Sequence, residues 1–101
     1  MEFGSLISGP ALPIDVSLLR YGNADPRLLY SLRKRYRLTP TQARVATLLA
    51  DRLTNAEIAC ELSVAPSTAR RHTEAVLFRL NVTSRFQVVN RVAEFFAAGP
   101  L

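Results

Sequence analysis

Between Leu38 and Val88 the chain spells out two short helices around a tight turn, framed by two more helices, and this run constrains the fold more than anything else in the sequence. The first helix of the central pair opens at Thr54-Asn55-Ala56-Glu57. A threonine followed three residues later by a glutamate is a capping box, in which each side chain satisfies a backbone N–H that the first helical turn leaves unpaired. Ile58, Ala59 and Leu62 then recur on one face at helical spacing. Ser63-Val64-Ala65 breaks the pattern and Pro66 restarts it as a first-turn proline, whose missing N–H would have no partner there in any case. The helix it starts runs to Leu80. Two helices joined by so short a turn form a helix-turn-helix unit.

The second helix of the pair has two unlike sides. At about 100° per residue, Ala69, Thr73, Val76, Leu77 and Leu80 gather on one side and face the core. Ser67, Arg70, Arg71 and Glu74 fall on the opposite side, with Thr68 and His72 on the flank. Phe78 projects from the polar side, where the core has no use for it. His72, the single histidine, reads as a packing or capping residue and not as a catalyst.

The flanking segments are also helical. Asp25 caps a helix opened by Pro26, along which Leu28, Leu29, Leu32 and Tyr36 form a stripe. Arg33-Lys34-Arg35 and Arg37 cluster at its end, where cations complement the helix dipole. Thr39-Pro40 opens the next helix, with Val45, Leu48 and Leu49 buried, and it ends near Arg52. No glycine or asparagine follows to take the left-handed conformation, so that connection is expected to be strained or differently shaped. Asn81 does supply such a residue after Leu80. Ser84-Arg85-Phe86-Gln87 reads as a second capping box, opening a last helix that Gly99-Pro100 stops.

That last helix carries Val88, Val89, Val92, Phe95 and Phe96, widened by Phe86 and Ala93. This is more apolar surface than a small core needs, and the margin at Phe95 and Ala93 is expected to form a dimer contact. Upstream, residues 6–23 contain Gly9-Pro10, Pro13 and Gly22 without a sustained period and read as a linker or docking arm, anchored by Ile14, Val16, Leu18 and Leu19. Residues 1–5, Met-Glu-Phe-Gly-Ser, read as an expression scar on a piece of a longer protein. The domain proper is expected over residues 24–98.

Composition narrows the function. The 101 residues suffice for one domain with a small core, and the net charge of +5 favours a polyanionic partner. Only Lys34 among the 13 basic residues is a lysine, and arginine suits bidentate contacts to phosphate and guanine. One cysteine, Cys60, excludes an internal disulfide and suits a reducing compartment. With one histidine, one cysteine, no glycine-rich phosphate loop and no metal-ligand cluster, the sequence points to no enzyme, no cofactor and no metal site. No apolar run reaches membrane-spanning length.

Leu38-Thr39-Pro40, Leu48-Leu49-Ala50 and Thr54-Asn55-Ala56-Glu57-Ile58-Ala59 resemble the opening of the LuxR-type (GerE-like) bacterial DNA-binding domain. The similarity continues through Val64, Ser67-Thr68-Ala69-Arg70-Arg71-His72, Val76-Leu77 and Arg79-Leu80-Asn81-Val82-Thr83-Ser84-Arg85, in order and at the right spacing. The chain departs from the family pattern at Gln42, where an acidic residue is usual, at Arg52 and Asn81, where glycine is usual, and at Ala65, where a serine-type cap is usual.

The resemblance implies an all-α fold: a four-helix LuxR-type helix-turn-helix domain, here preceded by an additional N-terminal helix and an arm. It implies sequence-specific binding of double-stranded DNA by a bacterial transcription regulator, in the cytoplasm at the nucleoid, with the helix at residues 66–80 in the major groove. Positions matching Arg70, Arg71 and Glu74 are expected to read bases. Thr68, His72 and Arg79, joined by Ser67 and Arg85, are expected at the DNA backbone. A weak homodimer strengthened on DNA and a contact with RNA polymerase are the further partners it suggests. The alternative is a helix-turn-helix module used for protein–protein interaction, motivated by Phe78, Phe86 and Phe95.

Overall fold

A computed structural model describes residues 19–98, so residues 1–5, the arm anchors Ile14, Val16 and Leu18, and the stop at Gly99-Pro100 lie outside the described residues. Five helices follow one another without a strand among the described residues: α1 (Pro26–Tyr36), α2 (Pro40–Ala50), α3 (Asn55–Leu62), α4 (Pro66–Leu80) and α5 (Arg85–Ala98). The fold is all-α, as the sequence implies.

Helix α2 is the hub, packing against each of the other four. Sequence periodicity marks Val45, Leu48 and Leu49 as its buried stripe, and the structure buries Ala43, Ala46, Thr47 and Ala50 as well. A central helix is covered on nearly every side, so its pattern is only weakly amphipathic. Its alanines let neighbouring backbones approach closely. The Thr47 hydroxyl, which would otherwise be a buried unpaired group, donates to the Arg44 carbonyl at 2.7 Å. Leu32 of α1, Ile58 of α3, Val76 and Leu80 of α4, and Val88 and Val92 of α5 complete the core around it. Of the stripe expected along α1 only Leu32 is fully buried; Leu28, Leu29 and Tyr36 are half-buried.

Local signals fix where the helices start. The Asp25 carboxylate accepts from the Arg27 N–H at 2.8 Å. Thr54 and Glu57 form the expected reciprocal box, at 3.2 and 2.9 Å. A second complete box joins Thr39 and Gln42, both bonds at 3.1 Å, so the glutamine that departs from the family's acidic residue keeps a capping role.

The box expected at Ser84 is different. Gln87 Oε1 accepts from the N–H groups of Thr83 and Ser84 at 2.7 and 3.1 Å and from the Thr83 hydroxyl at 3.0 Å. The Gln87 N–H, however, donates to the Ser84 carbonyl and not to its hydroxyl. Half of the box is made, and the glutamine makes it. Thermal melts should therefore show Thr54→Ala losing about 0.5–2 kcal/mol and Gln87→Ala about 1 kcal/mol, while Ser84→Ala melts with the parent. A large loss for Ser84→Ala alone would contradict this arrangement.

Four helices are followed by a left-handed residue with φ near 60–70° that is not glycine: Arg37, Ser63 and Asn81 directly at the C-cap, and Arg52 one position beyond the C-cap Asp51. After each, the next residue's N–H reaches back to a carbonyl five positions earlier, Leu38 to Arg33, Leu53 to Leu48, Val64 to Ala59 and Val82 to Leu77. That next residue is apolar every time and packs into or against the core. The connection after α2 thus keeps the left-handed shape, and Arg52 adopts it at φ 69° despite its Cβ. Such a conformation costs about 1–2 kcal/mol relative to glycine. The apolar anchor and the back-bonds offset it.

A carboxylate holds the arm. Asp51 Oδ1 accepts from the N–H groups of Arg20 and Tyr21, and Oδ2 from those of Tyr21 and Gly22, over 2.8–3.1 Å. Leu19 is buried beside this clamp, and the Tyr21 ring meets Phe96 edge-on at 5.4 Å. The C-terminal part of the arm is therefore docked on α2 and α5.

Candidate nucleic-acid interface

Ala69, Thr73, Val76 and Leu80 are buried and lock α4 against the rest of the fold, and the Thr73 hydroxyl is satisfied by the Ala69 carbonyl at 3.0 Å. Leu77, expected with them, is half-buried at the margin. The opposite face presents Ser67, Arg70, Arg71 and Glu74, all exposed, with Thr68 and His72 half-buried along the flank. The structure thus brings the three residues expected to read bases onto one open face. Arg79 is also exposed, close to the C-terminal end of α4.

Arg70 and Glu74 lie one turn apart, with Nε and Oε2 separated by 3.9 Å and side chains 72% and 67% exposed. A water-facing pair of this kind contributes little to stability. No side chain caps the first turn of α4, because Ala65 has no acceptor to offer. Pro66 has no N–H to satisfy, and the Thr68 and Ala69 N–H groups donate to the Ala65 carbonyl at 3.0 Å each.

Arg85, expected at the DNA backbone, also makes hydrogen bonds within the fold. One of its guanidinium nitrogens donates to the Leu53 carbonyl at 3.0 Å and another to the Asn55 side chain. It is half-buried and braces the start of α5 against the α2–α3 connection. Arg91 does similar work at the end of α4, donating to the Leu80 carbonyl at 2.9 Å. Arg44, two residues beyond Gln42, pairs with Glu61 at 3.2 Å and ties α2 to α3. Residues far apart in sequence make these braces, and no local spacing marks them.

The two residues expected at the dimer margin, Phe95 and Ala93, lie in different surroundings. Phe95 is half-buried and packs against the Tyr36 and Phe96 rings, at centroid distances of 6.4 and 5.8 Å. Ala93 instead lines a surface depression with Val89, Asn90, Asp51, Arg52 and Tyr21. Phe78 and Phe86 remain exposed, at 78% and 74%. Among the described residues no group of histidine, cysteine, aspartate and glutamate could hold a metal ion, and no helix is long and apolar enough to cross a membrane.

Two helices around a three-residue turn, the second with one face buried and the other open and arginine-bearing, define a helix-turn-helix protein. The sequence pattern of the bacterial regulatory proteins, luxR family, matches residues 36–92, and the chain belongs to that family. It is 39% identical over 56 residues to proteins named as HTH-type transcriptional regulators, Mb0914c of Mycobacterium bovis and Rv0890c of Mycobacterium tuberculosis. The match takes in 55% of this chain and 6% of each of those proteins. No solved structure gives a significant match.

Proposed function

We propose that this chain is the sequence-specific, double-stranded-DNA-binding domain of a bacterial transcription regulator, acting at the nucleoid, with α4 lying in the major groove. The observation that carries the proposal is the pairing of faces on α4: four apolar-side residues buried, and Ser67, Arg70, Arg71 and Glu74 open to solvent directly opposite. Arg70 and Arg71 can each donate bidentately to guanine O6 and N7, and Glu74 can accept from cytosine N4. Ser67, Thr68, His72 and Arg79 stand where the sugar–phosphate rails would pass, and contacts there set register without reading sequence. Arg85 acts indirectly, by holding the frame behind the helix. The work is binding, and no residue is assigned a chemical step.

A weak homodimer formed on DNA belongs to the same proposal. Of the two residues expected at the dimer contact, Ala93 lies with Val89 in one surface depression, the α5 surface proposed for it, and the half-buried Phe95 lines a separate groove. Two copies related by a two-fold axis would present two α4 helices to successive major grooves, roughly 34–36 Å apart. Contact with RNA polymerase would fall elsewhere on the surface.

The exposed Phe78 and Phe86 favour a second reading, a protein-interaction module of helix-turn-helix shape. Selection of bound duplexes from a random pool separates the two. A DNA-binding domain enriches one motif, arranged as an inverted repeat if the dimer forms. An interaction module enriches none.

A further inference from the structure

A groove of about 310 Å³ runs between α1 and α5, lined by Tyr30, Ser31, Lys34, Arg35 and Phe95. Its floor is aromatic and its rim is cationic. The Tyr30 ring, 56% exposed, has Arg33 Cζ at 5.9 Å and Lys34 Nζ at 5.8 Å from its centroid. Arg35 Cζ stands 5.6 Å from the Tyr36 ring, which in turn rests against Phe95. Helix α1 contains no acidic residue, and Glu94, next to Phe95 on α5, does not line the groove. The five lining residues all lie outside the segment that matches the family, which spans residues 36–92, although α5 itself begins within it.

We propose that this groove docks an acidic amphipathic segment of a partner protein, with an apolar side chain seated between Tyr30 and Phe95 and carboxylates on Lys34 and Arg35. Charge decides the class of occupant. A second copy meeting the groove through a two-fold axis would set the same cations against each other, an arrangement that repels. A DNA backbone would suit the rim but would leave the aromatic floor without an apolar partner. An acidic segment with an apolar anchor satisfies both, and exposed aromatics flanked by arginine are the residue types that dominate binding at small interfaces. Tyr30 holds its exposed position at the cost of unburied apolar surface, and the cations over its ring keep it fixed.

The test uses fluorescence anisotropy with a labelled synthetic peptide of glutamate, leucine and phenylalanine at helical spacing, and a twin in which lysine replaces glutamate. The acidic peptide is expected to bind the parent protein and the lysine twin is not. Tyr30→Ala and Lys34→Glu should each weaken the acidic peptide about tenfold or more, since both remove a central contact of a small site. Both residues are exposed, so the variants should fold; Tyr30→Ala should melt close to the parent, and Lys34→Glu slightly below it because it sets a negative charge in the last turn of α1. Their affinity for duplex DNA, measured separately, should stay unchanged, which makes failure of this docking site distinguishable from failure of DNA binding by α4. The proposal is overturned if the acidic peptide does not bind, if the lysine twin binds as well, or if neither substitution weakens the complex. It is equally overturned if the substitutions weaken duplex binding instead, which makes the cluster a phosphate contact, or if Lys34→Glu changes the oligomeric state, which makes it a contact between copies.

Discussion

Leu48→Ala is expected to lower the stability of the domain by about 2–5 kcal/mol, the largest loss of any single substitution considered for it. Leu48 is 1% exposed and sits on α2, which every other helix packs against. Removing its side chain takes apolar contacts from the centre of the fold and leaves a cavity that no single neighbour can close without moving. Its carbonyl also receives the Leu53 N–H that fixes the turn after α2, so a shift of α2 is transmitted to the start of α3. For a domain of this size each kcal/mol moves the midpoint by about 4–8 °C. The variant should therefore melt roughly 8–40 °C below the parent. Leu77→Ala, at the half-buried margin of α4, should fall well short of that. Equal melting of Leu48→Ala and the parent would mean that α2 is not the centre of the core.

The sequence made the helix starts legible because capping is local. Thr54 with Glu57, Asp25 before Pro26, and Pro66 after the break are each complete signals within a few residues, and the structure starts α3, α1 and α4 at those points. The two faces of α4 were legible for the same reason, since helical period alone separates Ala69, Thr73 and Val76 from Arg70, Arg71 and Glu74.

What escaped sequence reading depends on residues far apart. The Asp51 carboxylate serves three backbone N–H groups some thirty positions upstream, and nothing around Asp51 signals that it will. The hydrogen bonds of Arg85 to Leu53 and Asn55, some thirty positions upstream, carry no local signal either. Phe95 looked like surplus until Tyr36 came to rest against it. Arg52 marks a different limit. The absence of glycine left the shape of that turn open, and tertiary packing of Leu53 imposed the left-handed conformation on an arginine.

At the proposed interface, Arg70→Ala and Arg71→Ala should each weaken binding to a preferred duplex by about 1–3 kcal/mol, the worth of one bidentate contact to a base. Both side chains are exposed on α4 and neither supports the core, so their melts should match the parent. Glu74→Ala should relax the preference for its base pair while changing overall affinity less. Thr68→Ala and Arg79→Ala should weaken all duplexes alike, and Arg79→Ala should flatten the dependence on salt by removing a phosphate contact.

The most direct measurement is the affinity of the parent and of Arg70→Ala for two duplexes, the one enriched by selection and a scrambled sequence of equal length, at one fixed salt concentration. Base reading by α4 predicts that the parent prefers the selected duplex and that Arg70→Ala loses most of that preference while retaining its hold on the scrambled one. Equal losses on both duplexes would make Arg70 a backbone contact and contradict base reading at the centre of α4.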